Sequence, residues 1–272
     1  MTARLRLSGR TAVVTGAAGG IGRAIAQSLS TRDCHLALAD LNEAGLVETA
    51  ALVAKPGLRI SQHRLDVSDA TAVAEFPQLV LAEHPGVDLL INNAGVALGG
   101  TFEEVSPADF EWLFSINFWG VVRMTRAFLP LLRVSGDAHL VNLSSLFGLI
   151  SPPGQVAYSA SKFAVRGFSN GLRQELIGSG VGVMVVHPGG VATSIARDAR
   201  RAGNLSPLEL AVQQKRFQAL LKFPPERAGE IIVNGIERRL QRVLVGSDAK
   251  LASLIERIMP ISYWKIIGRQ VR

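Results

Sequence analysis

Apolar residues along this chain follow two alternating rhythms. Short continuous runs rich in Val, Leu, Ile and Ala predict strands at 10–16, 35–40, 60–67, 87–95, 138–145, 181–191 and 242–247. Longer stretches with apolar positions three and four apart predict helices at 22–33, 42–55, 69–84, 107–135, 156–180 and 224–240, the third of them containing Pro77. Strands that alternate with helices imply βαβ units and a parallel sheet. Strands apolar throughout, not at every second position, fit a sheet covered on both faces. Right-handed crossovers then give an open, doubly wound α/β sheet with helices on both sides. The alternation stops after Thr193. Residues 194–225 read as a basic, partly helical insertion. Residues 249–272 read as a basic amphipathic segment, with Leu251, Leu254, Ile255, Ile258 and Met259 at helical spacing, Pro260 as a break and Tyr263-Trp264 beyond it.

Composition narrows the class. Of 272 residues, 48% are apolar and 19% charged, which supplies a core and excludes a disordered chain. Cys34 is the sole cysteine, so no intrachain disulfide can form, and a reducing, cytoplasmic setting is expected. No apolar run approaches the roughly 18–20 residues of a membrane-spanning helix, and the run after the first arginines is too short for a secretion signal. The five histidines and one cysteine have no metal-ligand spacing, so no metal is expected. His187, just before Pro188, reads as a packing or turn residue.

The net charge of +7 is concentrated late: 15 Lys and Arg stand against 7 Asp and Glu between Arg197 and Arg272. Such a bias can attract acidic substrates, lipid headgroups or nucleic acid, or simply be a solvated surface. No aromatic ladder or nucleic-acid motif accompanies the arginines, so nucleic acid is not an expected partner. The C-terminal segment fits either a bilayer interface or packing on its own subunit or across an oligomer contact.

Candidate chemistry begins at the first strand. Gly16, Gly20 and Gly22 in "TGAAGGIG" lie between a strand and its helix, where glycines let the backbone approach a phosphate and the helix N-terminus offers unpaired N–H groups. The spacing departs from the usual dinucleotide fingerprint and is not a Walker A loop. Asp40 ends the second strand, where an acid can accept hydrogen bonds from an adenosine ribose and repel a 2′-phosphate. No basic residue stands at Gly19 or Leu41 to neutralise one, which favours NAD(H). In "YSASK", Tyr158 and Lys162 share one helix face, and an ammonium there favours phenolate, lowering the tyrosine pKa toward working pH. Ser144 and Ser145 end the preceding strand, where a hydroxyl can bond a substrate oxygen. "NNAG" at 92–95 ends another strand, and Asn117 is polar among Ile, Phe and Trp.

Taken together, "TGAAGGIG", Asp40, "LDV" at 65–67, "NNAG", Asn117, "NLSS" at 142–145, "YSASK" and "HPGGVAT" at 187–193 resemble the short-chain dehydrogenase/reductase family, closely from Arg10 to Thr193 and loosely beyond. The resemblance implies a single Rossmann-type catalytic domain over 1–272 with a seven-stranded parallel sheet, in a homodimer or homotetramer. It implies that Tyr158 is the acid/base, that Lys162 lowers its pKa and holds the nicotinamide ribose, that Ser145 orients the substrate oxygen, and that Asn117 holds a relaying water. It also implies a dinucleotide path along Gly16, Gly20, Ile21, Gly22, Asp40, Leu41, Asp66, Val67, Asn93, Ala94 and Gly95, ending on Pro188, Gly189, Val191 and Thr193.

Residues 194–225 are then the expected substrate lid, carrying Arg197, Arg200, Arg201, Lys215, Arg216 and Lys222, with Phe147, Leu149, Ile150 and Phe217 on the pocket side. The expected reaction is NAD(H)-dependent hydride transfer with a secondary alcohol or ketone on an apolar, lipid- or steroid-like substrate, some anionic group of which meets an arginine. An NADPH-dependent ketoacyl or carbonyl reductase and a non-catalytic dinucleotide sensor are the alternatives. Presence of all four of Asn117, Ser145, Tyr158 and Lys162 favours an enzyme over the sensor.

Overall fold

A computed structural model of the chain describes residues 4–203, 218 and 221–271. The seven predicted runs form strands β1 (Thr11–Thr15), β2 (His35–Asp40), β3 (Ile60–Arg64), β4 (Leu89–Asn92), β5 (Ala138–Leu143), β6 (Val181–Pro188) and β7 (Arg242–Val245). They pair in parallel in the order β3-β2-β1-β4-β5-β6-β7. This is the seven-stranded Rossmann-type α/β sheet that the motifs imply. Leu98–Gly99 and Arg200–Arg201 add a separate two-residue parallel ladder.

Helices α1 (Gly20–Ser30), α2 (Glu43–Val53), α3 (Ala70–Glu83), α4 (Pro107–Phe114), α5 (Val121–Ser135), α6 (Val156–Glu175) and α7 (Pro225–Glu237) cover the sheet, and α8 (Ser247–Ile258) and α9 (Tyr263–Val271) follow it. The strand pattern explains the two layers. Leu36 and Leu38 of β2 point to one face and pack with Ile25, Leu29 and Ile232. Ala37 and Ala39 point to the other, where Phe76, Leu90, Phe128 and Leu140 pack. Both faces of β2 are therefore apolar because both are covered. Each fully buried Leu, Ile or Phe contributes about 1.5–3 kcal/mol over an exposed one.

Chain direction fixes where a site can form. From β1 the chain builds outward to β2 and β3, then returns to β4 on the other side of β1. The connections after β1 and β4 therefore diverge, leaving a crevice at their carboxyl ends.

One departure from the periodicity matters. The single helix predicted over 107–135 is broken by a π-helical turn at Ser115–Gly120, which turns Asn117 into the interior. Such an insertion lets one side chain leave the regular helical face. Pro77 remains inside α3 without ending it. No helix among the described residues is long and apolar enough to cross a membrane.

Candidate active site

The carboxyl ends of β1 and β4 are tied together before any ligand is considered. The Thr15 hydroxyl at the end of β1 accepts the N–H groups of Asn93 and Ala94 and donates to the Ile91 carbonyl. The Asn93 side chain donates to the carbonyls of Thr15 and Gly16, at 2.9 and 3.1 Å. Gly16 has φ +66°, and a Cβ on it would lie 2.7 Å from the Asn93 amide. Gly22 is packed against the Gly16 carbonyl so closely that a side chain there would collide with it. Beyond this tight floor, Gly19 caps α1 without any side-chain hydrogen bond, and nothing lies within 4 Å of where its Cβ would be. An uncapped helix N-terminus with an open glycine face fits the pyrophosphate of a dinucleotide.

Asp40 sits half-buried at the tip of β2. Its carboxylate accepts N–H bonds from Ala18 of the glycine turn and from Asn42, each at 3.0 Å. Each oxygen keeps a further lone pair for a ribose hydroxyl. Leu41 beside it is exposed. Asp66 holds the following turn by accepting from Ser68 N–H and Oγ, while Val67 is buried and packs against the π turn at Gly120.

Across the crevice, α6 brings Tyr158 and Lys162 onto one face in its first two turns. Serine and alanine at 157, 159 and 161 are buried, so α6 sits close to the sheet. Lys162 is 4% exposed; its ammonium donates to the Leu143 carbonyl at 3.2 Å and lies 5.8 Å from the Tyr158 ring centre. Burial pushes the Lys162 pKa down to about 8. Burial also pushes the Tyr158 phenol above its ordinary value, opposed by a hydrogen bond from Ser145. The largest cause is removal of water from the buried phenolate, which acts against the lowering expected of Lys162.

Gly95 is where the two halves meet: a Cβ there would lie 3.0 Å from Asn117 Oδ1 and 3.3 Å from Lys162 Nζ. The Asn117 side chain accepts from Val96 N–H, and donates to the Val96 carbonyl and to Ser161 Oγ. Its amide thus fastens the strand β4 exit to α6.

A cavity of about 440 Å³ opens onto this arrangement. Ser145, Tyr158, Lys162, Ile21, Asn93, Gly95, Pro188, Gly189, Val191 and Thr193, ten of the residues predicted from sequence, line it. Gly16, Gly20, Gly22, Asp40, Leu41, Asp66, Val67, Ala94 and Asn117 lie off its wall; Gly20 abuts Thr193, at 3.0 Å from a would-be Cβ. Phe147 and Ile150 are on the wall as expected, whereas Leu149 is buried in the packing.

Ile195 and Leu221 of the expected lid reach the cavity, and among the described residues the C-terminal segment adds Leu251, Ala252 and Ile255 of α8 and Trp264 and Ile267 of α9 to the far wall. The C-terminal segment therefore packs on its own subunit. Tyr263 accepts the Ser151 N–H at 3.1 Å and Asp248 accepts the Gly190 N–H at 2.7 Å, fastening the roof to both sides of the site. No arginine lines the cavity among the described residues. Arg197 pairs with Asp198, and Arg200 pairs with Asp109 and stacks 3.5 Å from the Trp112 ring centre. Lys215, Arg216 and Phe217 lie outside the described residues.

His187, read from sequence as a packing or turn residue, is buried, with a partner the sequence did not name. Its Nδ1 lies 3.0 Å from the Ser145 carbonyl. A carbonyl only accepts, so Nδ1 carries the proton. Burial pushes its pKa down to about 4, which keeps the ring neutral. Its position immediately before Pro188 gave no signal, because the partner is 42 residues away. No group of three or more potential metal ligands occurs among the described residues.

With this geometry in hand, comparison places the chain. Residues 10–204 match the model of the short chain dehydrogenase family. SadH of Mycobacterium tuberculosis, designated an oxidoreductase, is 43% identical over 97% of this chain and 95% of its own. Among solved structures, a short-chain dehydrogenase/reductase from Burkholderia phymatum in complex with NAD is similar at TM-score 0.86 and 30% identity, over 93% of this chain and 95% of that one. An alcohol dehydrogenase from Thermococcus sibiricus complexed with 5-hydroxy-NADP is similar at TM-score 0.73 and 27% identity, over 87% and 95%. The chain belongs to the short-chain dehydrogenase family and is a nucleotide-binding oxidoreductase.

Proposed function

We propose that this protein transfers a hydride between NAD(H) and a secondary alcohol or ketone on a largely apolar, lipid- or steroid-like body. One observation carries the reading: the Ser145 and Tyr158 hydroxyls, beside buried Lys162, meet a cavity whose wall is largely apolar, with Leu146, Phe147, Ile150, Ile255, Trp264 and Ile267 on it beside a few polar side chains such as Asn93, Gln155, Thr193 and Asp248. A polar end on an apolar substrate matches that wall, since each buried methylene contributes about 0.8 kcal/mol.

In the oxidising direction, Ser145 donates a hydrogen bond to the substrate oxygen. The alcohol proton passes to the Tyr158 phenolate, and the hydride leaves the carbinol carbon, giving a ketone. NAD⁺, when bound, would supply the hydride acceptor and a positive charge that favours phenolate. Lys162 adds a second cation, which opposes the burial that disfavours phenolate. Its ammonium also faces the space where a nicotinamide ribose would lie. Asn117 acts as a positioning residue through Val96 and Ser161. Gly16, Gly20, Ile21 and Gly22 hold the pyrophosphate at the α1 N-terminus. Asp40 accepts the adenosine ribose hydroxyls and repels a 2′-phosphate. The preference for NAD(H) over NADP(H) rests on that carboxylate. Leu41, Asp66, Val67, Asn93, Ala94 and Gly95 border the adenosine half, and Pro188, Gly189, Val191 and Thr193 the nicotinamide amide.

The working assembly is a homodimer or homotetramer. Exposed Trp119 and Phe163, on adjoining segments, offer apolar surface for it, and sedimentation as a monomer would remove this part.

The test is NAD⁺ reduction across steroid, retinoid, long-chain and acyl alcohols and small polyols, with Tyr158→Phe alongside. Turnover of apolar secondary alcohols is expected, abolished in the variant with NADH binding retained. Turnover confined to polyols, or ordinary activity in Tyr158→Phe, overturns the reading.

A further inference from the structure

The two helices that roof the cavity have a second face. On α8, Ala252 and Ile255 point inward, while Leu251, Leu254 and Ile258 recur at helical spacing on the outside. Leu254 is 55% exposed, Ile258 69%, and Ile261 at the tip between the helices 96%. Ile266 of α9 is also exposed. The same two helices carry exposed cations: Lys250, Arg257 and Lys265. The acids of the segment are placed otherwise, since Asp248 holds the Gly190 N–H and Glu256 is half-buried.

A contiguous apolar stripe exposed to water marks a contact surface. Its charge decides among occupants. Two copies meeting across a two-fold axis would bring the same cations face to face, without an exposed carboxylate on the stripe to pair them. An anionic bilayer satisfies both features, taking the apolar side chains into the acyl boundary and the cations at the headgroups. We propose that the outer face of α8 and α9, centred on Leu254, Ile258 and Ile261, docks this enzyme on an anionic lipid surface. Leu251 belongs both to this face and to the cavity wall. Docking therefore sets the cavity next to the bilayer, so that an apolar alcohol reaches it without crossing water. That route of entry rests on the cavity being the substrate site; the docking itself does not.

The test is co-sedimentation of the full chain with phosphatidylcholine vesicles and with vesicles of phosphatidylcholine mixed equally with phosphatidylglycerol. The mixed vesicles are expected to carry the protein down, less so at high salt. The combined variant Leu254→Ser, Ile258→Ser, Ile261→Ser is expected to lose binding roughly tenfold or more, as its apolar anchors are gone. Val134→Ser, an exposed apolar residue of α5, is the control and should bind as the parent does. All three positions are exposed, and circular dichroism melting confirms that each variant is folded. Equal binding to neutral vesicles, a parent chain that stays in solution, or a triple variant that binds like the parent each overturns the proposal. A triple variant that changes oligomeric size, with the parent failing to bind vesicles, also overturns it and assigns the face to a second copy. Alcohol turnover by the parent is measured separately: its absence with vesicle binding intact counts against the catalytic reading alone.

Discussion

Lys162→Met removes the charge near the Tyr158 phenol while keeping most of the buried side-chain volume. The ammonium lies 5.8 Å from the phenol ring centre. At an effective dielectric of about 20, two unit charges at that distance interact by roughly 3 kcal/mol. Lys162 is mostly protonated at neutral pH, because its depressed pKa is still about 8. The attraction exists only when the phenol is ionised, so the variant penalises phenolate by about that amount. That amounts to roughly a hundredfold less phenolate at a fixed pH below its pKa. The kcat/KM of alcohol oxidation should therefore fall by about a hundredfold at pH 7, with the rising limb of the pH profile moved to more alkaline pH. Since Lys162 also faces the expected ribose position, NADH affinity is measured by fluorescence titration and oxidation is run at saturating dinucleotide. A variant that loses rate uniformly at every pH, with the limb unmoved, would show that Lys162 serves binding or packing and that the electrostatic argument is wrong.

Replacing Asp40 by serine keeps a hydrogen-bond acceptor for Ala18 N–H and removes the charge. The ratio of kcat/KM for NADP to that for NAD should rise by roughly a hundredfold, since juxtaposed like charges cost several kcal/mol; an unchanged ratio sinks the NAD assignment. Stability should fall in acid through buried histidines. His139 is held at about 4, chiefly by burial, against an ordinary value of about 6.5. The unfolded chain takes up the proton first, so stability is full above about pH 6.5 and is lost as pH falls toward 4, by on the order of 3 kcal/mol. Urea unfolding at pH 7 and pH 4.5 reads this directly, and equal midpoints refute it.

Much of this molecule was legible in one dimension. Continuous apolar runs such as "HLALAD" fixed seven strands covered on both faces, because parallel strands buried on two sides tolerate no polar alternation. The glycine turn, Asp40, Ser145 and the Tyr158–Lys162 pair were legible for a related reason: each depends on a local feature, a strand end or one helix turn. The π turn at Ser115–Gly120 was not, because its helical periodicity is nearly normal and the change of hydrogen-bond pattern shows only in the folded backbone. Nor was the direction of the Tyr158 shift, since desolvation depends on everything that surrounds the phenol. The roof is the clearest case. The spacing of Leu251, Leu254 and Ile258 declared an amphipathic helix, but an apolar stripe does not say what lies against it. Only the folded chain put Ile255, Trp264 and Ile267 into one cavity wall with the Ser145 and Tyr158 hydroxyls, 97 or more residues away in sequence, and tied them there through Tyr263 and Ser151, 112 residues apart. Contacts between distant segments are set by the global packing of the sheet and its helices, and no local pattern encodes them.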